Sequence, residues 1–86
     1  MIISRCEKVY GSELDDQFCL FDSKSAKYYI LNSTGSTIWR LLDEPIKFNN
    51  LLEKLLDFYE FEKEIIKKDV NEFLNNAIEI GILNKN

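Results

Sequence analysis

The spacing of apolar residues along this 86-residue chain changes once, close to residue 32. Ahead of that point, residues 17–22 (Gln-Phe-Cys-Leu-Phe-Asp) and 27–31 (Lys-Tyr-Tyr-Ile-Leu) are dense in aromatic and aliphatic side chains, and the polar run Ser23-Lys24-Ser25-Ala26 separates them. Two such runs around a short polar loop predict an antiparallel hairpin. An earlier strand is predicted over about residues 8–14, interrupted by Gly11, with Asp15-Asp16 as the turn that follows. Alternation puts Phe18 and Leu20 on one face and Cys19 and Phe21 on the other; Tyr29 and Leu31 oppose Tyr28 and Ile30 in the same way. A sheet with one wet face alternates apolar with polar residues. Two apolar faces therefore leave two readings: helices or an N-terminal strand cover the second face, or part of it receives an apolar partner.

Beyond residue 32 the spacing becomes helical. Asn32, Ser33 and Thr34 are N-cap candidates ahead of Ile38, Trp39, Leu41 and Leu42. The first helix is expected from about Ser36 to Asp43, ended by Pro45, which pushes its predecessor out of helical geometry. A second is expected over 49–59, with Phe48, Leu51, Leu52, Leu55 and Tyr59 as one stripe and Asn49 as its cap. The third is expected over 62–80: Glu62 and Glu64 complement the dipole at its start, and Gly81 ends it. Its stripe is Ile66, Val70, Phe73, Leu74 and Ala77. Ile65 and Ile80 lie off that stripe, so the apolar band is wider than one contact requires. The fold class this predicts is α+β and winged-helix-like, a three-stranded antiparallel sheet followed by three helices. The third strand and third helix would lie side by side around a groove.

Composition narrows the function classes. A chain of this length has room for one domain, taken as residues 1–86, with residues 84–86 expected to fray. An apolar fraction of 45% with only three Gly and one Pro favours a packed core over disorder. The net charge is −4, and Lys67 and Lys68 sit among Glu62, Glu64, Asp69 and Glu72, so no basic stripe is available to neutralise phosphates. A DNA-reading winged helix is disfavoured further by the mixed, acidic outward face of the second helix, Glu53, Lys54, Asp57 and Glu60. Histidine is absent, which removes the commonest general base and metal ligand. Cys6 and Cys19 form no C-x-x-C motif and have no companion ligands; a disulfide between them requires the first strands to align, and reduced thiols in a cytoplasmic protein are the plainer reading. Residues 1–5 lack the apolar run of a signal peptide, and no segment is apolar enough to span a bilayer, so no membrane role is expected. Ser33, Thr34 and Ser36 at a helix start could meet an anion, yet they lack a base and are explained by capping. No catalytic residue, metal site or cofactor is expected, and the chain reads as a non-enzyme.

Several residues, in order, carry a family resemblance. Cys19-Leu20-Phe21-Asp22 is similar to a Val/Cys-Leu-hydrophobic-Asp strand. Tyr29-Ile30-Leu31-Asn32, followed by Thr34-Gly35 and Ile38-Trp39, is similar to a tyrosine-containing strand with Leu-Asn, Thr-Gly/Ala and Ile-Trp. Asp69-Val70, Phe73-Leu74 and Gly81-Ile82-Leu83 match the closing pattern. Together they resemble the PqqD family, the small peptide chaperone of pyrroloquinoline quinone biosynthesis, whose domain is also known as the RiPP precursor peptide recognition element. The resemblance covers about Phe18 to Leu83. One departure is Lys47-Phe48-Asn49, where members often have Thr or Ser capping the second helix.

The resemblance implies a peptide-binding adaptor. The leader segment of a ribosomally made precursor peptide would dock as an extra antiparallel strand on the third strand, in the groove beside the third helix, which is β-augmentation in physical terms. The strand wall would be Lys27, Tyr28, Tyr29, Ile30 and Leu31, with Tyr28 and Ile30 facing the groove. The helix wall would be Val70, Phe73, Leu74 and Ala77, with Lys67 as a rim charge. The implied partners are the precursor peptide and a modifying enzyme such as a radical SAM enzyme, a leader peptidase or a cyclase. The alternative is a structural module that dimerises by pairing the third strand with its own copy or by swapping N-terminal strands.

Overall fold

The computed structural model describes residues 1–86. In chain order it contains β1 (Ile2–Arg5), β2 (Val9–Leu14), β3 (Gln17–Asp22), β4 (Lys27–Ile30), α1 (Ser33–Leu41), β5 (Ile46–Lys47), α2 (Phe48–Phe58), α3 (Lys63–Ile80) and β6 (Leu83–Lys85). The three strands read from the sequence are β2, β3 and β4, an antiparallel sheet in the order β2-β3-β4. Asp15 and Asp16 both adopt positive φ, 51° and 66°. That is the geometry a two-residue hairpin turn needs to match strand twist, and Asp tolerates it better than most residues.

A second small sheet, β5-β1-β6, was not legible in the sequence. The expected fraying of residues 84–86 is corrected by it: Leu83, Asn84 and Lys85 pair with Arg5, Ser4 and Ile3, and the Asn86 N–H donates to the Ile2 carbonyl at 2.9 Å. Strands of two to four residues are too short to show a period. They form because the pairing buries Ile3 and Leu83 together at the base of the core. Cys6 and Cys19 both carry free thiols, Cys6 buried and Cys19 half-buried.

The helices keep their expected order with shifted starts. α1 begins three residues early because the Asn32 side chain accepts the Gly35 N–H at 2.8 Å, which settles the choice among the three cap candidates. α2 has no side-chain cap, contrary to the expected role of Asn49. β5 runs straight into it, and the Phe48 N–H donates instead to the Met1 carbonyl at 3.0 Å. α3 ends where expected, with Gly81 at φ 88° and the Ile82 N–H bonded back to the Ala77 carbonyl.

One cluster of 17 buried apolar residues lies between the inner face of the β2-β3-β4 sheet and the helices, with Trp39, Leu20, Ile38, Leu51, Leu55 and Leu74 almost wholly enclosed. Gly11 faces this cluster. A Cβ there would lie 2.7 Å from Trp39 Nε1, so the indole needs the missing side chain to reach β2. Arg5 binds the other side of the same residue: its Nε donates to the Trp39 carbonyl at 3.1 Å and its guanidinium lies 4.7 Å from the ring centroid. Burial pulls the Arg5 pKa below its ordinary value, partly countered by Asp43.

The one fully buried polar side chain is Ser36, in the first turn of α1. Its Oγ accepts the Phe18 N–H at 2.9 Å and donates to the Leu31 carbonyl at 3.3 Å. One hydroxyl thereby satisfies a donor at the start of β3 and an acceptor just past β4. Replacing it strands both, so Ser36→Ala is expected to lower unfolding free energy by about 1–3 kcal/mol in a urea titration.

Asp22 gives a second check at the other end of the hairpin. The Lys24 N–H, at 2.9 Å, holds its carboxyl below the usual carboxylate range, with further help from Ser25. A depressed folded pKa means the stabilisation is present above the unfolded value of about 3.9 and is lost as pH falls through the lower folded value. Asp22→Ala is expected to be less stable than the parent near neutral pH. That gap should close on acidification below about pH 4, as read from paired urea titrations.

Candidate functional site

Sheet order leaves β4 bonded on one side only. The Leu31 N–H donates to the Phe18 carbonyl at 2.9 Å, and Leu20 stands opposite Tyr29 and Asp22 opposite Lys27. Alternate residues of an antiparallel pair turn their backbone groups toward the partner. Lys27, Tyr29 and Leu31 therefore bond to β3, while the N–H and C=O groups of Tyr28 and Ile30 face the open edge. β2 is the other edge of this sheet, but no principal cleft touches it.

Beyond Ile30 the open edge leads into a cleft of about 310 Å³ lined by Asn32, Thr34 and Gly35 on one side and Asp69, Glu72, Phe73 and Asn76 on the other. The α3 residues belong together because a helix turns about 100° per residue. Asp69, Glu72, Phe73 and Asn76 share a flank, and Ile65 and Ile80 continue it at either end, half or nearly half exposed. Phe73 is half-buried and packs against the start of α1, where a Cβ on Gly35 would lie 2.7 Å from its Cε1. Two carboxylates and two carboxamides give the cleft an acidic, hydrogen-bonding floor.

The expected helix wall is corrected in most of its members. Val70, Leu74 and Ala77 are each 2% exposed and belong to the hydrophobic core. Lys67 stands on the far flank, with Glu64, Lys68 and Asn71. Only Phe73 lies on the cleft. On the strand wall, Leu31 is buried and Tyr29 packs half-buried against the core. Lys27 is exposed at the start of β4. Tyr28 and Ile30 contribute backbone to the edge, but their side chains point to the outer face of the sheet, 71% and 78% exposed. Sequence reasoning missed Asn32, Thr34, Gly35, Asp69, Glu72 and Asn76 as cleft residues. The available signal was Ile65 and Ile80, two apolar residues off the core stripe that mark the cleft flank of α3.

Nothing covers the outer face of the β2-β3-β4 sheet. Tyr10, Leu14, Tyr28 and Ile30 are all exposed there, and the Phe21 and Tyr28 rings pair at 4.9 Å. Of the two readings of its apolar pattern, coverage by the chain's own helices or N-terminal strand is excluded.

The family profile described as "Coenzyme PQQ synthesis protein D (PqqD)" matches residues 17–83. No curated protein matches the chain. Among solved structures, TbiB1 in complex with the TbiA(beta) leader peptide superposes with a TM-score of 0.89 at 22% identity, over 96% of both chains. Lasso peptide synthetase B1 complexed with the leader peptide superposes at 0.80 and 24% identity, over 96% of this chain and 98% of that one. The fold is therefore shared along nearly the whole length.

The contact between Gly35 and Phe73 sets how closely α1 and α3 border the cleft. Gly35→Ala is expected to displace the Phe73 ring and shift the amide resonances of residues 69–76. The accompanying loss, about 1–3 kcal/mol for an overpacked site, is to be read from the urea midpoint.

Proposed function

Because this chain belongs to the PqqD family, we propose that it binds the leader segment of a ribosomally made precursor peptide as an added strand on β4 and presents it to a modifying enzyme. The observation that carries this reading is the open β4 edge, with the backbone groups of Tyr28 and Ile30 unpaired beside a cleft that α3 walls. Backbone hydrogen bonds supply affinity in this mode, and the flanking pockets supply selectivity. Both superposed structures hold a leader peptide, which supports the same occupant here. The chain itself does no chemistry in this scheme. It raises the local concentration of the attached core peptide at the enzyme that acts on it.

The acidic cleft floor favours a peptide that is neutral or basic where it crosses Asp69 and Glu72. The outer sheet face is the surface we assign to the modifying enzyme, since an exposed contiguous apolar patch is where a protein partner gains most from burial. The candidates for that partner are a radical SAM enzyme, a leader peptidase and a cyclase.

The test is an amide-resonance titration of the labelled chain with a synthetic peptide of the leader encoded beside its gene. Saturable shifts are expected at residues 27–31 and along the cleft flank of α3. Ile30→Pro removes an edge donor that no strand of the chain uses, and is expected to weaken binding at least about tenfold. Ile30→Thr keeps the donor and alters only the outer face, so binding should stay within about twofold. Equal losses in the two variants, or shifts that avoid β4, would overturn strand addition.

A further inference from the structure

Asn32 stands where β4 hands over to α1, and it belongs to both. Its backbone is extended, at φ −71° and ψ −178°, so it continues the line of the strand past Ile30. By alternation its N–H points with those of Tyr28 and Ile30 toward the open edge. Its carbonyl does not follow them. That oxygen accepts the Ser36 N–H at 2.8 Å and so opens the helix. The outward row of β4 therefore ends on a backbone donor with no acceptor beside it.

We infer that the Asn32 side chain extends this row: its Nδ2 donates to a backbone carbonyl of the bound peptide, N-terminal to the segment that pairs with β4. The inference rests on the peptide-binding reading above. Its direction follows from strand polarity. β4 runs from Lys27 to Ile30 and then into Asn32 and α1. A peptide antiparallel to β4 starts at the Ile30 end, so the residues preceding its paired segment cross Asn32. The main chain of α1 has turned away from the edge there, and a side chain has to supply the next donor.

The carboxamide is held in place before a ligand arrives. Oδ1 accepts the Gly35 N–H at 2.8 Å, which fixes the amide plane and leaves both Nδ2 hydrogens free. A side chain already held by its cap loses little freedom on binding. Capping by itself does not require an amide, because Asn, Asp and Ser cap about equally well. A carboxylate would gain further from the helix dipole, and the first turn of α1 carries no acidic residue. What Asn adds over Asp is a donor. Across the cleft stand Asp69 and Glu72, whose carboxylates only accept. A trans peptide unit directs its carbonyl and its N–H to opposite sides. A donor on the Asn32 wall and acceptors on the α3 wall match that polarity.

Peptides selected from a random dodecapeptide library on the wild-type chain are the probe, with hydrogen exchange at Tyr28 and Ile30 reporting strand addition. Asn32→Ser keeps the cap and removes the amide; Asn32→Asp keeps the cap and turns the donor into an acceptor. Neither change is expected to lower the urea midpoint. Affinity for peptides that protect Tyr28 and Ile30 is expected to fall about threefold to tenfold in Asn32→Ser, and about tenfold or more in Asn32→Asp. Single backbone esters, whose carbonyls accept more weakly than those of amides, locate the acceptor. One ester ahead of the paired segment should cost the wild-type chain several-fold more affinity than it costs Asn32→Ser. Unchanged affinity in Asn32→Ser, or equal ester costs in both proteins at every position, would overturn the Asn32 contact and leave strand addition standing. Peptides that bind without protecting β4, or no enrichment at all, would overturn strand addition and the Asn32 contact together.

Discussion

The Ser36 hydroxyl is the interaction on which the geometry of the cleft depends. It sits between the Phe18 N–H and the Leu31 carbonyl, with no access to water. β4 and α1 are separated by only two residues, so the chain must turn from strand to helix at once. The Phe18 N–H and the Leu31 carbonyl, which that turn encloses, have to be satisfied by the protein itself. Ser36 does this, and with the Asn32 cap it aims α1 across the inner face of the sheet. A longer connection would be free to fold back along β4 and pair with its edge. The short one leaves that edge open and brings Thr34 and Gly35 opposite α3.

In the proposed binding mode, the open edge and the helix flank beside it divide the work. The edge contributes donors and acceptors that any peptide backbone can use. The α3 flank contributes what a backbone cannot, namely the Asp69 and Glu72 charges and the Phe73 ring. The edge is only four residues long and begins with Lys27, which limits unwanted pairing with other chains. On the opposite face, Tyr28 and Ile30 join Tyr10 and Leu14. One short strand thus leaves backbone groups unpaired on its edge and side chains exposed on its outer face.

Which residues of α3 touch the cleft was the least legible part. A helix packed against a core on one side and bordering a cleft on another carries two adjacent stripes, and the more hydrophobic one is the core. Val70, Leu74 and Ala77 have the cleaner period because they are buried. The cleft stripe mixes Asp69, Glu72 and Asn76 with Phe73, Ile65 and Ile80, so it carries no clean apolar period. Polar residues at helical spacing look like an ordinary solvated face, which left the two isoleucines as the only local sign.

The sequence by itself determined the elements whose signals are local. Asp15-Asp16 made a turn, Asn32 a cap and Gly81 a stop, and the Phe18–Leu20 and Tyr29–Leu31 alternation set the buried face of the hairpin. The ordered set of motifs from Cys19 to Leu83 also carried the family. Tertiary structure alone decided the β5-β1-β6 sheet, the helix flank that borders the cleft and the face of the hairpin left uncovered. The physical reason is the same in each case. A cap, a turn or an alternation draws its stability from neighbours within a few residues, whereas β6 exists only through β1, across almost the entire chain. A cleft, likewise, is a property of two surfaces that no single segment contains.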